Sequence, residues 1–153
     1  MAESDRLTHV DGSGQARMVD VSDKPRVRRT ARAEGFVFLA PGTVRLVREN
    51  ALAKGDVLAA ARLAGILAAK RTSDLIPLCH NIEIEHVQVL LEVLDDRIRI
   101  EASASCTDKT GIEMEALTAV SVAALTVYDM CKAVDKGMRI EGVRLLEKTK
   151  EAL

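Results

Sequence analysis

The sequence has very few aromatic side chains: one Tyr, two Phe and no Trp in 153 residues. The core must therefore be aliphatic, and little is available for the base stacking on which RNA-binding sheets depend. The formal net charge of −1 gives no overall attraction for nucleic acid either. We therefore predict that the chain does not bind nucleic acid.

Disulfide, zinc and membrane signatures are missing as well. The three cysteines, Cys79, Cys106 and Cys131, match neither a disulfide framework nor a zinc site, which predicts free thiols in a reducing compartment and no protein-bound metal. The first residues contain no signal-peptide stretch, and the longest apolar run, residues 57–69, is too short to span a bilayer. A cytoplasmic protein without membrane association is predicted.

The length predicts one domain, preceded by an irregular arm. Residues 1–28 are polar and contain Gly12, Gly14 and Pro25, which favours an irregular or partly disordered segment. His9 in this arm is interpreted as an ordinary surface residue. Residues 29–153 are predicted to form the single domain that carries the function.

Hydrophobic periodicity predicts alternating strands and helices. The clearest part is a hairpin of residues 85–93 and 97–106, in which apolar and polar side chains alternate. The other predicted elements are a strand at 29–39, helices at 42–50 and 57–71, an irregular apolar loop at 72–81, a helix at 111–136 and a strand at 138–146 with a bulge at Gly142. This βαββαβ order predicts a ferredoxin-like α+β sandwich, an antiparallel sheet with helices packed on one face.

Three residues are predicted to shape the helices. Asp56 is a candidate N-cap for the helix at 57–71. Gly65 within that helix is expected to allow close contact with another backbone. Gly137 is expected to end the helix at 111–136.

The helix predicted at 111–136 is apolar over most of its circumference but carries one polar stripe, which ends in Asp129, Lys132 and Lys136. One interpretation is a solvated face with an i, i+3 ion pair. The other is a carboxylate and an ammonium, partly desolvated by apolar neighbours, that exchange protons over a pocket. The helix is more apolar than one sheet requires, which predicts a homo-oligomer.

Cationic side chains gather near the ends of the predicted elements, as expected for a site that binds several phosphates. They are Arg29, Lys54, Lys70, Arg71, Lys132, Lys136, Lys148 and Lys150. Candidates for proton transfer accompany them, and these are His80, Glu113, Glu115, Asp129 and Lys132. The mixture is typical of an enzyme, although the glycine signature of a P-loop is missing.

Glu115 and Asp129 are separated by roughly 21 Å along one helix. One small substrate cannot touch both residues of the same chain. Either the two carboxylates serve different purposes, or one site combines Asp129 of one subunit with Glu115 of another.

Three strings carry a family resemblance: KGDV at 54–57, AGILAAKRTSDLIPLCH at 64–80 and KTGIEMEALTAVSVAALTVYDMCKAVDK at 109–136. Together with MVDVSDKP near the start and VRLLEK near the end, they resemble the MoaC family, the cyclic pyranopterin monophosphate synthases of molybdenum cofactor biosynthesis. The resemblance implies a lyase that converts 3′,8-cyclo-7,8-dihydroguanosine 5′-triphosphate to cyclic pyranopterin monophosphate and diphosphate. It also implies a homohexamer, a trimer of dimers, with the substrate at a subunit interface.

The resemblance also assigns roles to residues of this chain. The catalytic pair falls on Asp129 and Lys132. Substrate-binding positions fall on Leu78, Cys79, His80, Met114, Glu115, Arg29, Lys54 and Lys148, and the cation set adds Arg71. No cofactor is required by the sequence, and Mg²⁺ is expected only as a companion of the substrate phosphates. The chain departs from the family at Asn81, where relatives usually carry Pro.

Two other functions suit the same fold. A ligand-binding regulatory oligomer would need no acid–base pair, so the spacing of Asp129 and Lys132 argues against it. An RNA-binding module would need exposed aromatic residues on the sheet, which the hairpin does not supply.

Overall fold

The computed structural model describes residues 8–153, in which four strands form one antiparallel sheet in the order β2-β3-β1-β4. The strands are β1 (Val27–Phe38), β2 (His86–Val93), β3 (Arg97–Asp108) and β4 (Arg139–Glu151). The helices are α1 (Pro41–Arg48), α2 (Val57–Lys70), α3 (Thr72–Leu75) and α4 (Glu113–Cys131). The predicted ferredoxin-like α+β fold is confirmed.

The two faces of the sheet follow from the alternation of side chains along β3. Ile98, Ile100, Ala102, Ala104 and Cys106 are buried under the helices, while the residues between them lie on the outer face. The hairpin pairs His86 with Ser105 and Val93 with Ile98, and the predicted hairpin of residues 85–93 and 97–106 is confirmed. The aliphatic core thus lies on one side of the sheet.

The outer face of the sheet is held by ion pairs. Glu34 on β1 is only 4% exposed and accepts from Arg99 of β3 and Arg144 of β4, with N–O distances of 2.9 and 2.7 Å. These bonds, mainly the one from Arg144, lower the pKa of the Glu34 carboxyl. The central strand is therefore tied to both neighbours on the side that the helices leave open.

Helix α4 is the centre of the helical layer. It packs on β1, β3 and β4, while α2 lies beside it and covers β2. Gly65 of α2 permits this closeness, because an added Cβ would lie 3.0 Å from the carbonyl oxygen of Ala119 on α4. The predicted backbone contact at Gly65 is confirmed. So is the cap of α2, since the Asp56 carboxylate accepts from Ala59 N at 3.0 Å.

By length and composition, α4 could cross a membrane: it has 19 residues and a mean hydropathy of 1.3. It is the one such helix among residues 8–153. Its contacts with all four strands and with α2 account for its apolar character as that of a core helix.

Several predicted boundaries were wrong or incomplete. The loop after α2 contains the short helix α3, which forms because Ile76 N donates to Thr72 O. Helix α4 ends at Cys131 rather than near Lys136. Strand β4 continues to Glu151 rather than ending at 146, because residues 147–151 still pair with β1. Gly137 does not end it, since Gly137 has no positive φ, and a turn that Asp135 organises follows instead. Gly142 does mark a bulge: its φ is 65° and the β1–β4 register shifts there.

The N-terminal arm is irregular over its described part. Residues 8–26 contain one isolated bridge, between Val10 and Ala16, and no helix or longer strand. Residues 1–7 of the predicted arm lie outside the described residues. The arm therefore enters the sheet at Val27, two residues earlier than the sequence predicted.

Candidate functional site

A cavity of about 150 Å³ lies at the beginning of α4, and we call it the carboxyl cavity. It is lined by His9, Leu78, Cys79, His80, Ile82, Thr110, Gly111, Glu113, Met114 and Glu115. The structure therefore brings together all five predicted substrate-binding residues of the loop and helix strings. Two larger surface cavities, of about 270 and 280 Å³, are lined by none of these five.

Buried carboxyl groups dominate the chemistry of the carboxyl cavity. Glu115 is only 3% exposed, and one carboxyl oxygen each of Glu113 and Glu115 is buried without a hydrogen-bond partner. Burial raises the pKa of Glu115 to about 7, and the nearby Glu113 adds to this rise. Buried carboxyl oxygens without hydrogen bonds lower the stability of the folded protein unless a donor reaches them. The cavity is therefore suited to a ligand with several N–H groups.

The first turn of α4 fixes the two carboxyl groups. Gly111 leaves the space that the Glu113 carboxylate occupies, because a Cβ at Gly111 would overlap that carboxylate. Arg29 of β1 donates to the carbonyl oxygens of Asp108 and Lys109, at 3.0 and 2.9 Å. Arg29 thus holds the loop before α4 in place. Within this chain its hydrogen bonds go to that loop and not to the lining of the cavity.

Cys79 and His80 also line the carboxyl cavity. Burial raises the pKa of the Cys79 thiol, with a further rise from Glu115 and Glu113, so the thiol stays protonated at neutral pH. The His80 Nε2 atom lies 2.6 Å from the carbonyl oxygen of Val19 in the arm. Because a carbonyl oxygen can only accept, Nε2 carries the proton in this bond.

Lys148 of β4 reaches the same cavity from the sheet. Its Nζ atom lies 3.6 Å from Glu113 Oε1. The bulges in β4 set the register that pairs Lys148 with Ala31 on the core strand β1. The predicted cation Lys148 is therefore placed beside the carboxyl cavity.

A second group of functional side chains lies at the other end of α4. Asp129 Oδ1 lies 2.8 Å from Lys132 Nζ, and Asp129 Oδ2 lies 2.9 Å from Lys54 Nζ. Lys54 also donates to the carbonyl oxygen of Asp129 at 3.1 Å. We call Lys54, Asp129 and Lys132 the ion triad, and it carries a net positive charge.

The ion triad is open to solvent in the single chain. The side chains of Asp129 and Lys132 are each 55% exposed, so the expectation that α4 itself partly desolvates them was wrong. Hydrogen bonds from Lys132 and Lys54 lower the pKa of Asp129 to about 2, and Asp129 raises the pKa of Lys132. At neutral pH the triad therefore holds two ammonium groups around one carboxylate.

The two groups do not meet within one chain. Both lie on α4, at about 1.5 Å rise per residue, so Glu115 and Asp129 are roughly 21 Å apart along its axis. The threonines between them on α4 do not link the two groups. Thr118 is buried, and the Thr126 hydroxyl donates to the carbonyl oxygen of Val122 in the same helix. Arg71 lines neither the carboxyl cavity nor the ion triad.

No cluster of three or more His, Cys, Asp or Glu side chains that could hold a metal occurs within residues 8–153. The cysteines are free thiols, as predicted. The chemistry that these residues can supply is hydrogen bonding, charge and proton transfer.

Sequence reasoning missed three contributors to the carboxyl cavity. Glu113 was a candidate for proton transfer but not for binding, although its spacing of two residues before Glu115 could have indicated it. Gly111 gave no local signal, because its role depends on the rotamer of Glu113. His9 is exposed, as predicted, yet it lines the cavity, and only the folding of the arm reveals this.

Comparison with known proteins shows which family the chain resembles. The model of the MoaC family matches residues 18–151. A protein of Streptomyces coelicolor named cyclic pyranopterin monophosphate synthase is 60% identical over 145 residues, which cover 95% of this chain and 85% of that protein. A protein of the same name from Methylobacterium sp. (strain 4-46) is 61% identical, with 94% and 91% covered. Cyclic pyranopterin monophosphate synthase 1 of Mycobacterium tuberculosis is 57% identical, with 94% and 85% covered.

Proposed function

The chain belongs to the MoaC family, and from this premise we propose that it is a cyclic pyranopterin monophosphate synthase of molybdenum cofactor biosynthesis. Its substrate is 3′,8-cyclo-7,8-dihydroguanosine 5′-triphosphate, and its products are cyclic pyranopterin monophosphate and diphosphate. The observation that carries this proposal is the pair of complementary groups: a cavity with buried acceptors and a cationic ion triad.

The carboxyl cavity binds the ring system of the substrate. A guanine-derived ring presents several N–H donors on one edge, and the free carboxyl oxygens of Glu113 and Glu115 are acceptors without partners. Binding would relieve the cost of leaving these oxygens buried and unpaired. Leu78 and Met114 supply apolar contact to the faces of the ring.

The ion triad binds the triphosphate and supports the departure of diphosphate. Lys54 and Lys132 present ammonium groups that Asp129 holds in place, so their positions are fixed before the substrate arrives. Lys148 and Arg71 are proposed to add further positive charge. Any Mg²⁺ would enter as a companion of the phosphates, where it would neutralise charge on their oxygens.

Proton transfer in the ring rearrangement is assigned to Asp129 and Lys132. With a pKa of about 2, an exposed Asp129 is a weak base. Covering the pair with substrate and with a neighbouring subunit would remove water and favour the neutral forms of both groups. Proton exchange between Asp129 and Lys132 is therefore expected only in the assembled, loaded site.

A complete site therefore requires two chains. Glu115 and Asp129 of one chain lie roughly 21 Å apart along α4, so we assign the carboxyl cavity and the ion triad of one site to different subunits. Leu63 and Leu67 on α2 and Leu125 on α4 are exposed leucines of the helical layer, which favours association through that face. We propose a homohexamer built as a trimer of dimers.

The decisive experiment supplies the cyclic dihydroguanosine triphosphate to the purified protein. Diphosphate release and the mass of the pterin product are followed together, with boiled protein as the blank. Release of diphosphate with formation of cyclic pyranopterin monophosphate is the expected result. Tight binding of the substrate without turnover would instead support a regulatory ligand-binding oligomer.

A further inference from the structure

The N-terminal arm is attached to the carboxyl cavity at three points. The carbonyl oxygen of Val19 accepts from His80, at 2.6 Å. The carbonyl oxygen of Ser22 accepts from Lys109 Nζ, at 2.7 Å, next to the first turn of α4. Arg26 donates to the carbonyl oxygen of Thr107, at 2.7 Å. Residues 19–26 therefore run across the loop that carries Thr110 and Gly111.

Before these anchors the arm folds back on itself. Arg17 N donates to His9 O at 2.9 Å, and Val10 bridges to Ala16. The turn between them is closed by the Asp11 carboxylate, which accepts from Ser13 N and Gln15 N. The Ser13 hydroxyl donates to the same carboxylate, and this bond is the largest cause that lowers the pKa of Asp11.

The anchored turn places His9 among the residues that line the carboxyl cavity, together with the first turn of α4. The first turn of α4 offers acceptors, the free oxygens of Glu113 and Glu115. The other imidazole of the cavity, His80, donates from Nε2 to the arm and not to a ligand. The Thr110 hydroxyl, the Cys79 thiol and, when protonated, the Glu115 carboxyl can donate to an oxygen atom of the ligand, and the exposed His9 imidazole adds a further N–H donor from the arm.

We propose that His9 is a further substrate-binding residue, whose imidazole donates a hydrogen bond to an oxygen atom of the ring system bound between the arm and α4. The arm is then the outer wall of the binding site, and its anchors at His80 and Lys109 position His9. The proposal rests on the proposed function in one respect, the identity of the ligand that fills the carboxyl cavity.

The chain has three histidines, which makes a direct binding test feasible by NMR. The imidazole signals of His9, His80 and His86 can be assigned with single His→Gln variants. The cyclic dihydroguanosine triphosphate is then added to the Asp129→Asn protein, which slows its consumption. The signals of His9 and His80 should shift, whereas His86, exposed on the outer face of the sheet, serves as the reference.

Kinetics separate substrate contact from a structural role of the arm. We expect His9→Ala to raise KM for diphosphate release roughly tenfold, with a smaller change in kcat. His9→Gln keeps a side-chain N–H donor and should recover part of this loss. Thr8→Ala is the matched control, since Thr8 is exposed beside His9 and does not line the cavity.

Each outcome of these measurements decides the proposal. A His9 signal that stays fixed while His80 shifts, or a His9→Ala protein with the KM of Thr8→Ala, overturns it. If neither signal moves, the ring does not bind in the carboxyl cavity, and both this proposal and the assignment of the cavity fail. If His9 shifts but the wild-type protein releases no diphosphate, the proposed reaction fails while His9 remains a binding residue.

Discussion

The buried position of Glu115 in the carboxyl cavity lowers the stability of the folded protein once the carboxyl ionises. Burial raises its pKa from the ordinary 4.5 to about 7. The folded protein therefore keeps a proton that the unfolded chain releases as the pH rises above about 4.5. Stability falls as the pH rises through this window, and the loss is complete once the pH exceeds the folded pKa of about 7.

Replacing Glu115 with Gln should separate stability from binding. The amide never ionises, so Glu115→Gln should be more stable than wild type by about 2–3 kcal/mol at pH 8 and nearly equal at pH 4.5. Its affinity for the substrate should fall, because one carboxyl acceptor is lost. Urea unfolding at the two pH values measures the first effect, and calorimetric titration measures the second. An equal stability difference at both pH values would show that Glu115 is not buried as a neutral acid.

Asp129 is expected to behave in the opposite manner, with a large effect on turnover and a small one on stability. The Asp129→Asn substitution keeps the shape but removes the charge that holds Lys54 and Lys132. Turnover should fall roughly 10²-fold or more, while the melting temperature changes little because the pair is exposed.

The matched comparison is Lys132→Ala alone and together with Asp129→Asn. Because the two residues act as a unit, the double variant should be little worse than either single one. Near-normal diphosphate release by folded Asp129→Asn would reduce the pair to a surface ion pair, and proton transfer would then have to be sought at His80, Glu113 or Lys148.

At the scale of residues, sequence predicts contacts that are close in the chain better than contacts across the fold. Helical spacing predicted that Asp129 and Lys132 adjoin, and the 2.8 Å ion pair confirms it. The contact between Lys54 and Asp129 joins residues 75 positions apart, and no local sequence pattern predicts it. Exposure was also misjudged, since an apolar helix can still present one end to solvent.

At the scale of elements, the packing of α2 against α4 depends on Gly65. An added Cβ would lie 3.0 Å from Ala119 O and 3.3 Å from the Ala123 Cβ, and a backbone carbonyl cannot move aside as a flexible side chain can. Gly65→Val should therefore separate the helices and destabilise the protein by about 1–3 kcal/mol. Gly42→Ala in α1 is the control, because its added Cβ would meet nothing within 4 Å.

Urea unfolding of the two glycine variants measures this prediction. Gly42→Ala should be neutral or slightly stabilising, since Ala favours helix more than Gly does. A Gly65→Val protein as stable as the control would mean that the α2–α4 contact can relax without cost. The presence of this close contact was foreseen from the single glycine in an Ala-rich helix, although its partner on α4 was not.

The hairpin strands were predicted more accurately than the ends of α4 and β4. The alternation in β2 and β3 predicted which side chains face the core, and the observed register keeps the apolar faces of both strands on the same side of the sheet. The end of α4 was placed too late, since Ala133 and Val134 continue the apolar pattern although the chain there forms turns. Apolar periodicity alone does not show where a helix ends. After α4 the Asp135 carboxylate accepts from Ala40 N and Gly137 N, and these bonds hold the chain in a turn.

At the scale of the whole molecule, the structure of one chain presents two incomplete sites. The carboxyl cavity has acceptors without donors, and the ion triad has cations without an anionic ligand. Exposed Leu63, Leu67 and Leu125 lie on the helical layer that carries both. Light scattering is expected to show a species well above a monomer, with a hexamer favoured by the family resemblance.

A mixing experiment tests whether two subunits share each site. Asp129→Asn removes the function of the ion triad, and Glu113→Ala with Glu115→Ala removes that of the carboxyl cavity. Two differently tagged chains, each with one defect, are co-expressed, and mixed oligomers are isolated through both tags. Each defective chain alone should be nearly inactive.

Restored activity is the result that a shared site requires. With random assembly, a site is intact when its triad comes from the cavity-defective chain and its cavity from the triad-defective chain, so about one quarter of wild-type activity should return. If both groups acted within one chain, every site would keep a defect, and mixing would restore nothing. Activity that stays at the level of the single variants, in oligomers that contain both tags, would overturn the shared site, since the carboxyl cavity and the ion triad would then act within one chain or serve separate purposes.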